Sequence, residues 1–166
     1  MNEIVLRAST TRSFIPSAVI RWRTDFGISH IEFQRPDGST LGARADGHGV
    51  AERPASFNRD QENIILATFD GIERAHDWVL KNRLGFEYDF KGIFGIAFGK
   101  ADWHDSGARD CSCLVLEGAE EGAKNFLLNR DLRIWQATPR DILASPRVAI
   151  LQAEKKMLRE QRFVMR

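Results

Sequence analysis

Two short stretches of this chain hold the residue types best suited to nucleophilic chemistry. Arg109-Asp110-Cys111-Ser112-Cys113 follows a Gly-containing loop and runs into Leu114-Val115-Leu116, which predicts a helix from about Asp110 to Leu128 with Cys111 in its first turn. Unpaired backbone N–H groups and the helix dipole favour a thiolate there, and the same amides can receive a developing oxyanion. Far upstream, Ser29 to Gln34 alternates: His30, Glu32 and Gln34 fall on one face, Ile31 and Phe33 on the other, the period of a strand. A carboxylate two residues from an imidazole can orient it as the third member of a triad does. The expectation is a Cys–His site of Cys111 and His30, with Glu32 as orienting group.

The other candidates read differently. Cys113 is rotated about 200° from Cys111 on the helix, towards Leu116, Glu117 and Glu120, while Cys111, Leu114, Val115, Gly118 and Gly122 share an inward, apolar or small face. Arg109 adds positive charge near Cys111, partly offset by Asp110. His76 reads as a surface residue of a helix, His48 as an exposed turn residue, and His104, seven residues before Cys111, as the runner-up base. Cys-x-Cys has no second pair at zinc-ribbon or finger spacing, and the glycines from Gly92 to Gly99 precede no Gly-Lys-Ser/Thr. No metal and no cofactor is expected.

The elements that must position these residues form an α+β pattern. Ile4-Val5-Leu6 reads as a short edge strand. A helix follows Pro16, with Val19, Ile20 and Trp22 as its apolar side. Pro36-Asp37-Gly38 turns the His30 strand into a returning strand, Thr40 to Arg44, and Val50 to Arg53 is a third. Asn63 to Phe69 is a continuous apolar run, typical of a central strand buried on both faces. Asp70 is placed to cap a helix burying Ile72, Ala75, Val79 and Leu80, and Gly85 to end it. Tyr88 to Gly99 reads as a loop entering a tightly packed helix. Thr138-Pro139-Arg140-Asp141 carries a helix-start signal, Val148 to Leu151 a last strand, and residues 153–166 a charged tail helix.

A chain of 166 residues with 43% hydrophobic and 28% charged residues suits one soluble domain. A net charge of +1 gives no argument for a nucleic-acid partner. Two cysteines this close form no disulfide framework. The N-terminus carries no secretory segment and no stretch reaches membrane-span length, so the expectation is a cytoplasmic product as synthesised, without an integral membrane segment.

Asp110-Cys111-Ser112-x-Leu114-Val115 resembles the nucleophile motif of NlpC-type cell-wall peptidases, a papain-like superfamily, and Ser29-His30-Ile31 with its Gly-containing hairpin resembles that superfamily's histidine strand. The histidine precedes the cysteine here, the order of the circularly permuted branch, which includes YiiX-like hydrolases, phage proteins and lecithin–retinol acyltransferase-like enzymes. Leu41-Gly42-Ala43-Arg44, Gly49-Val50, Tyr88 to Ile93 and Thr138 to Leu143 extend the match over most of the chain. The resemblance implies a single permuted papain-like domain over 1–166, an antiparallel sheet packed on helices with the nucleophile at a helix N-terminus. It further implies Cys111 as nucleophile, His30 as general base, Tyr88 as a hydroxyl polarising the scissile carbonyl, and a peptide substrate, with peptidoglycan first and an acyl ester second. Two positions depart from the pattern: Gly42 stands where the third polar residue usually lies, with Glu32 as its substitute, and Cys113 replaces the usual Gly or Glu. The alternative is a binding or structural module of a phage or secretion-associated assembly, for which the basic tail (Lys155, Lys156, Arg159, Arg162, Arg166) offers contacts.

Overall fold

The alternation from Ser29 to Gln34 is realised as β2 (His30–Gln34), which returns as β3 (Thr40–Arg44) and then β4 (Gly49–Arg53). The first turn is built as its sequence suggests, with Gly38 at φ +82° and the Asp37 carboxylate accepting the Ser39 amide. The computed structural model describes residues 3–11, 15–58, 61–100, 103–128 and 134–153. The basic tail lies outside these residues.

Six strands form one antiparallel sheet in the order β4-β3-β2-β1-β5-β8, where β1 is Val5–Thr11, β5 Gln61–Phe69 and β8 Val148–Ala153. β1 is therefore central and not an edge strand as its short apolar run implied. Its Leu6 and Ala8 pair with Phe33 and Ile31 on one side and with Ala67 and Ile65 on the other, which makes one continuous apolar face. The opposite face is polar and largely buried, carrying Ser9, His30, Glu32, Arg53 and Gln61. β5 is more open than a strand covered on both sides, since Ile64 and Thr68 are half-buried.

Five α-helices among the described residues accompany the sheet. α1 (Ile15–Thr24) buries Ile20 but leaves Trp22 76% exposed, so Trp22 is not part of an inward face. α2 (Ile72–Asn82) buries Ile72, Ala75 and Val79 as its periodicity predicts. Asp70 does not cap it: Gly71, at φ +82°, takes the N-cap position without a side-chain bond. His76, read as a surface residue, is 3% exposed, accepting from Arg35 at 3.1 Å and meeting Phe33 edge-on. α3 (Phe90–Phe98) is capped by the Asp89 carboxylate, which accepts the Gly92 amide. α4 (Cys111–Glu117) starts where predicted but passes into a wider π turn, Gly118–Gly122, ending short of Leu128. A Cβ on Gly122 would lie 2.6 Å from the Arg74 carbonyl oxygen, so this pair of glycines is what lets α4 and its extension lie against α2. A parallel bridge between β6 (Glu87–Tyr88) and β7 (Ala108–Arg109) ties the start of α4 to α3. α5 (Pro139–Leu143) is opened by Asp141, which accepts from both the amide and the hydroxyl of Thr138.

Candidate active site

The β2–β3 hairpin sets the position of the thiol. Arg35 donates its amide to Ser39 across the turn, so every second amide back along β2, at Phe33 and Ile31, points towards β3. The strand pairing stops at Phe33 and Leu41. The next amide in that series, Ile31, lies at the Cys111 thiol instead, and this amide and the Ser112 hydroxyl both ease the ionisation of that thiol. Cys111 thus sits where β2 and β3 part, against the backbone residue between His30 and Glu32.

On β2 the imidazole and the carboxylate face the same way, as alternation predicts. His30 Nε2 is 3.1 Å from Glu32 Oε2, and Arg44 on β3 grips both carboxylate oxygens, Nη2 to Oε1 at 2.5 Å and Nε to Oε2 at 3.1 Å. Gly42 gives this carboxylate its room: a Cβ there would lie 2.7 Å from the Glu32 Cβ and 3.0 Å from its Oε2. Burial opposes charge on Glu32, but His30 and Arg44 outweigh it and hold the carboxyl down to about 2. Burial also lowers the basicity of His30 despite Glu32, so the ring is neutral at neutral pH. A neutral ring that donates Nε2–H to a carboxylate keeps its lone pair on Nδ1, the form a general base needs.

The start of α4 is less cationic than the sequence suggests. Asp110 caps it, with one carboxylate oxygen accepting from Ser112 and Cys113 amides at 2.8 and 3.0 Å. Two first-turn amides are therefore already used, and the amide of Cys111 itself is the one the cap leaves for an oxyanion. Burial pushes the Asp110 carboxyl up to about 7. Burial, then the Asp110 charge, pushes the Cys111 thiol up to about 12, opposite to the direction expected from a helix start. Arg109 does not offset this, because its guanidinium pairs with Glu117 at 2.8 Å. Cys111 is 1% exposed, and its thiol is neutral. Cys113 is also buried, and its thiol is raised further by burial and by Asp110.

Tyr88 pairs with Arg109 across β6–β7 and lies close enough to Cys111, Asp110 and Asp89 for their charges, after burial, to push its phenol well above 10, so it stays a hydrogen-bond donor. His104, the runner-up base, stacks on Trp135 with ring centroids 4.6 Å apart. His48 is exposed in its turn. His30 is paired with Glu32, and Cys111 lies near enough to Glu32 and Tyr88 for their charges to act on one another. Among the described residues, the hydrogen-bond partner of His30 is Glu32, and none joins its ring to the sulfur of Cys111. The roles of Arg44 as the clamp on Glu32 and of Asp110 as the helix cap go beyond what the sequence pattern assigns them; the i, i+2 spacing of Arg44 from Gly42 on the strand facing Glu32 is the signal for the first.

No family profile matches the chain, and no curated protein matches it. Among solved structures it is similar to the crystal structure of the metalloprotein YiiX from Escherichia coli O157:H7, with a TM-score of 0.68 over 92% of this chain and 97% of that one at 13% identity. The likeness is one of fold: a mixed α+β molecule with an antiparallel sheet packed on helices.

Proposed function

We propose that this chain is a cysteine hydrolase of the permuted papain-like kind, with Cys111 as nucleophile and His30 as general base. The observation that carries the reading is the clamp of Glu32 by Arg44 on one ring nitrogen of His30, next to a strand amide, Ile31, that eases ionisation of the Cys111 thiol. A neutral thiol and a neutral imidazole fit proton transfer concerted with attack and not a standing thiolate–imidazolium pair. As the sulfur bonds to the substrate carbonyl carbon, its proton passes to Nδ1 of His30, and Glu32 stabilises the imidazolium through Nε2–H. The carbonyl oxygen takes up negative charge against the Cys111 amide and the Tyr88 hydroxyl. Collapse expels the amine, which takes the proton from His30, and water then hydrolyses the acyl-thioenzyme. A peptide amide, with peptidoglycan stems first, is the preferred substrate; an acyl ester is second.

The name of the YiiX neighbour raises the question of a metal. Among the described residues no three His, Cys, Asp or Glu side chains gather to hold one, and both oxygens of Glu32 are engaged by Arg44 and His30. The donor set does not fit a metal centre, and no step is drawn through one.

The test compares wild type with Cys111→Ala, His30→Ala and Glu32→Gln on cell-wall peptides and acyl esters. Complete loss in the first two and a loss on the order of 10²-fold in Glu32→Gln is expected, the scale of a general-base contribution. Turnover by Cys111→Ala equal to wild type would falsify the reading. The burial of Cys111 specifically favours a second reading, a binding module that keeps the fold, and absence of turnover across the whole panel together with an alkylation rate indifferent to His30→Ala selects it.

A further inference from the structure

Gly92, Gly95 and Gly99 give α3 a side without side chains, set apart from Phe90, Phe94 and Phe98. The helix ends on Gly99 at φ +65°, where the Lys100 amide returns to the Gly95 carbonyl at 2.8 Å and the Gly99 amide to that of Ile96, the double closure of a Schellman turn. The Trp103 amide then donates to the Lys100 carbonyl at 3.1 Å. A Cβ on Gly95 would lie 2.6 Å from the Trp103 carbonyl oxygen, so its absence lets this segment fold back along the helix. Lys100 and Trp103 thereby line a cleft of about 510 Å³, a volume within the range of small-molecule sites. Arg23 from α1, Trp135 from the turn before α5 and Arg140 from α5 complete it. None of Cys111, His30, Glu32 and Tyr88 lines this cleft.

Among the described residues, the cleft holds three cations, Arg23, Lys100 and Arg140, against one carboxylate, Asp141, which accepts the amide and hydroxyl of Thr138. Arg140 donates Nη1 to the Thr24 carbonyl at 2.8 Å, which fixes its guanidinium against the end of α1. Arg23 and Lys100 have no ion-pair partner among the described residues. The exposed acids Asp25 and Asp105 stand near in sequence but do not line the cleft, and the Asp105 carboxylate accepts the Gly107 amide within its own loop. An excess of two positive charges matches a phosphate monoester, with about 1.5–2 negative charges at pH 7, better than a single carboxylate. Guanidinium forks suit its oxygens. Trp103, 43% exposed, and Trp135, on which His104 stacks, set indole surface beside the cations, where a ring can lie.

We propose that the cleft between α1, α3 and α5 binds a ring-bearing phosphate monoester, a nucleoside monophosphate or a sugar phosphate. Its phosphate lies among Arg23, Lys100 and Arg140, and its ring lies against Trp103. The binding does not depend on Cys111 being a nucleophile.

The test is isothermal titration calorimetry of the full chain with adenosine monophosphate, glucose 6-phosphate, inorganic phosphate and adenosine. Wild type binds one or both esters at least about tenfold more tightly than inorganic phosphate or adenosine, since each of these lacks either the stacking or the charged contacts. The ester that binds identifies the ring, and raising salt weakens it. Arg23→Gln and Lys100→Gln each weaken binding about tenfold, the loss of one charge-assisted hydrogen bond. Trp103→Ala weakens it about as much through lost stacking. Lys81→Gln, at an exposed cation of α2, leaves binding unchanged and serves as the control. Circular dichroism and melting establish that the variants are folded. The proposal is overturned by no binding of either ester at millimolar concentration, by inorganic phosphate or adenosine binding as tightly as the esters, or by equal loss in Lys81→Gln.

Discussion

At the scale of single residues, the site joins two acids of opposite behaviour. Glu32 is stabilised as an anion by its partners, whereas Asp110 is buried with one oxygen in the helix cap and the other without a hydrogen-bond partner among the described residues. Asp110 therefore favours folding below pH 3.8, where it is protonated in both states, and loses that contribution as pH rises to about 7. Asp110→Asn keeps a capping side chain and removes the charge. Its stability in urea should match wild type near pH 4 and exceed it by up to about 4 kcal/mol at pH 8. The same substitution removes the negative neighbour that helps to raise the Cys111 thiol. Alkylation of Cys111 should accordingly be slow in wild type until strongly alkaline pH and faster at pH 8 in Asp110→Asn, read by mass spectrometry of the labelled peptide. Unchanged labelling would mean that opening of the site and not ionisation limits the reaction.

At the scale of elements, the close approach of α2 to α4 rests on small residues. Gly122→Ala places a methyl group against the Arg74 carbonyl and the Trp78 Cβ, and should cost about 1–3 kcal/mol, seen as a lower urea midpoint with an unchanged slope. Such contacts explain what was legible in the sequence. The β2–β3 hairpin, the inward side of α2, the first turn of α4 and the Thr138 start signal are local patterns, each fixed by turn chemistry, periodicity or a cap, and each is present. What could not be read depends on partners distant in sequence. Val5 to Thr11 looks like an edge because its own apolar run is short, but β2 and β5 flank it. His76 looks exposed beside Asp77 because Arg35 and Phe33, which bury it, come from β2 and the turn after it. Trp22 looks like core by its type and faces out. The inward face of α4 was legible, but the reversal of the Cys111 pKa was not, since it follows from burial and from the way Asp110 uses up the helix-start amides.

At the scale of the whole molecule, the sheet separates an apolar face under α2 and α4 from a buried polar face. That polar face is a network: Arg7 donates to Gln34 and Gln61, Arg44 to Glu32, and Arg53 to Asp46 and to the carbonyls of Gly42, Gly49 and Ala51. Its titration gives the fold an acid limit. His30 has a folded pKa below its unfolded one, and Glu32 likewise, so the unfolded chain binds more protons and stability falls as pH falls. The loss begins near pH 6.5 through His30 and continues from 4.5 towards 2 through Glu32, which accounts for about 3 kcal/mol. Denaturant midpoints of Glu32→Gln should be lower than wild type at pH 7 and should approach it in acid; a constant offset at every pH would remove Glu32 from this role.

The space at Gly42 also makes the acceptor of His30 a shared property of two positions on adjacent strands. One strand supplies the carboxylate and the other supplies a missing side chain, and neither position can change alone. A side chain at 42 must expel Glu32, and a small residue at 32 leaves a hole that a polar side chain at 42 can enter. Homologous chains are therefore expected to interchange the two, small against polar, and Glu32→Gly combined with Gly42→Gln offers a direct trial of that exchange. Recovery of folding in the double variant, where each single change fails, would show that the strand donating the acceptor is free to drift while the imidazole it serves stays in place.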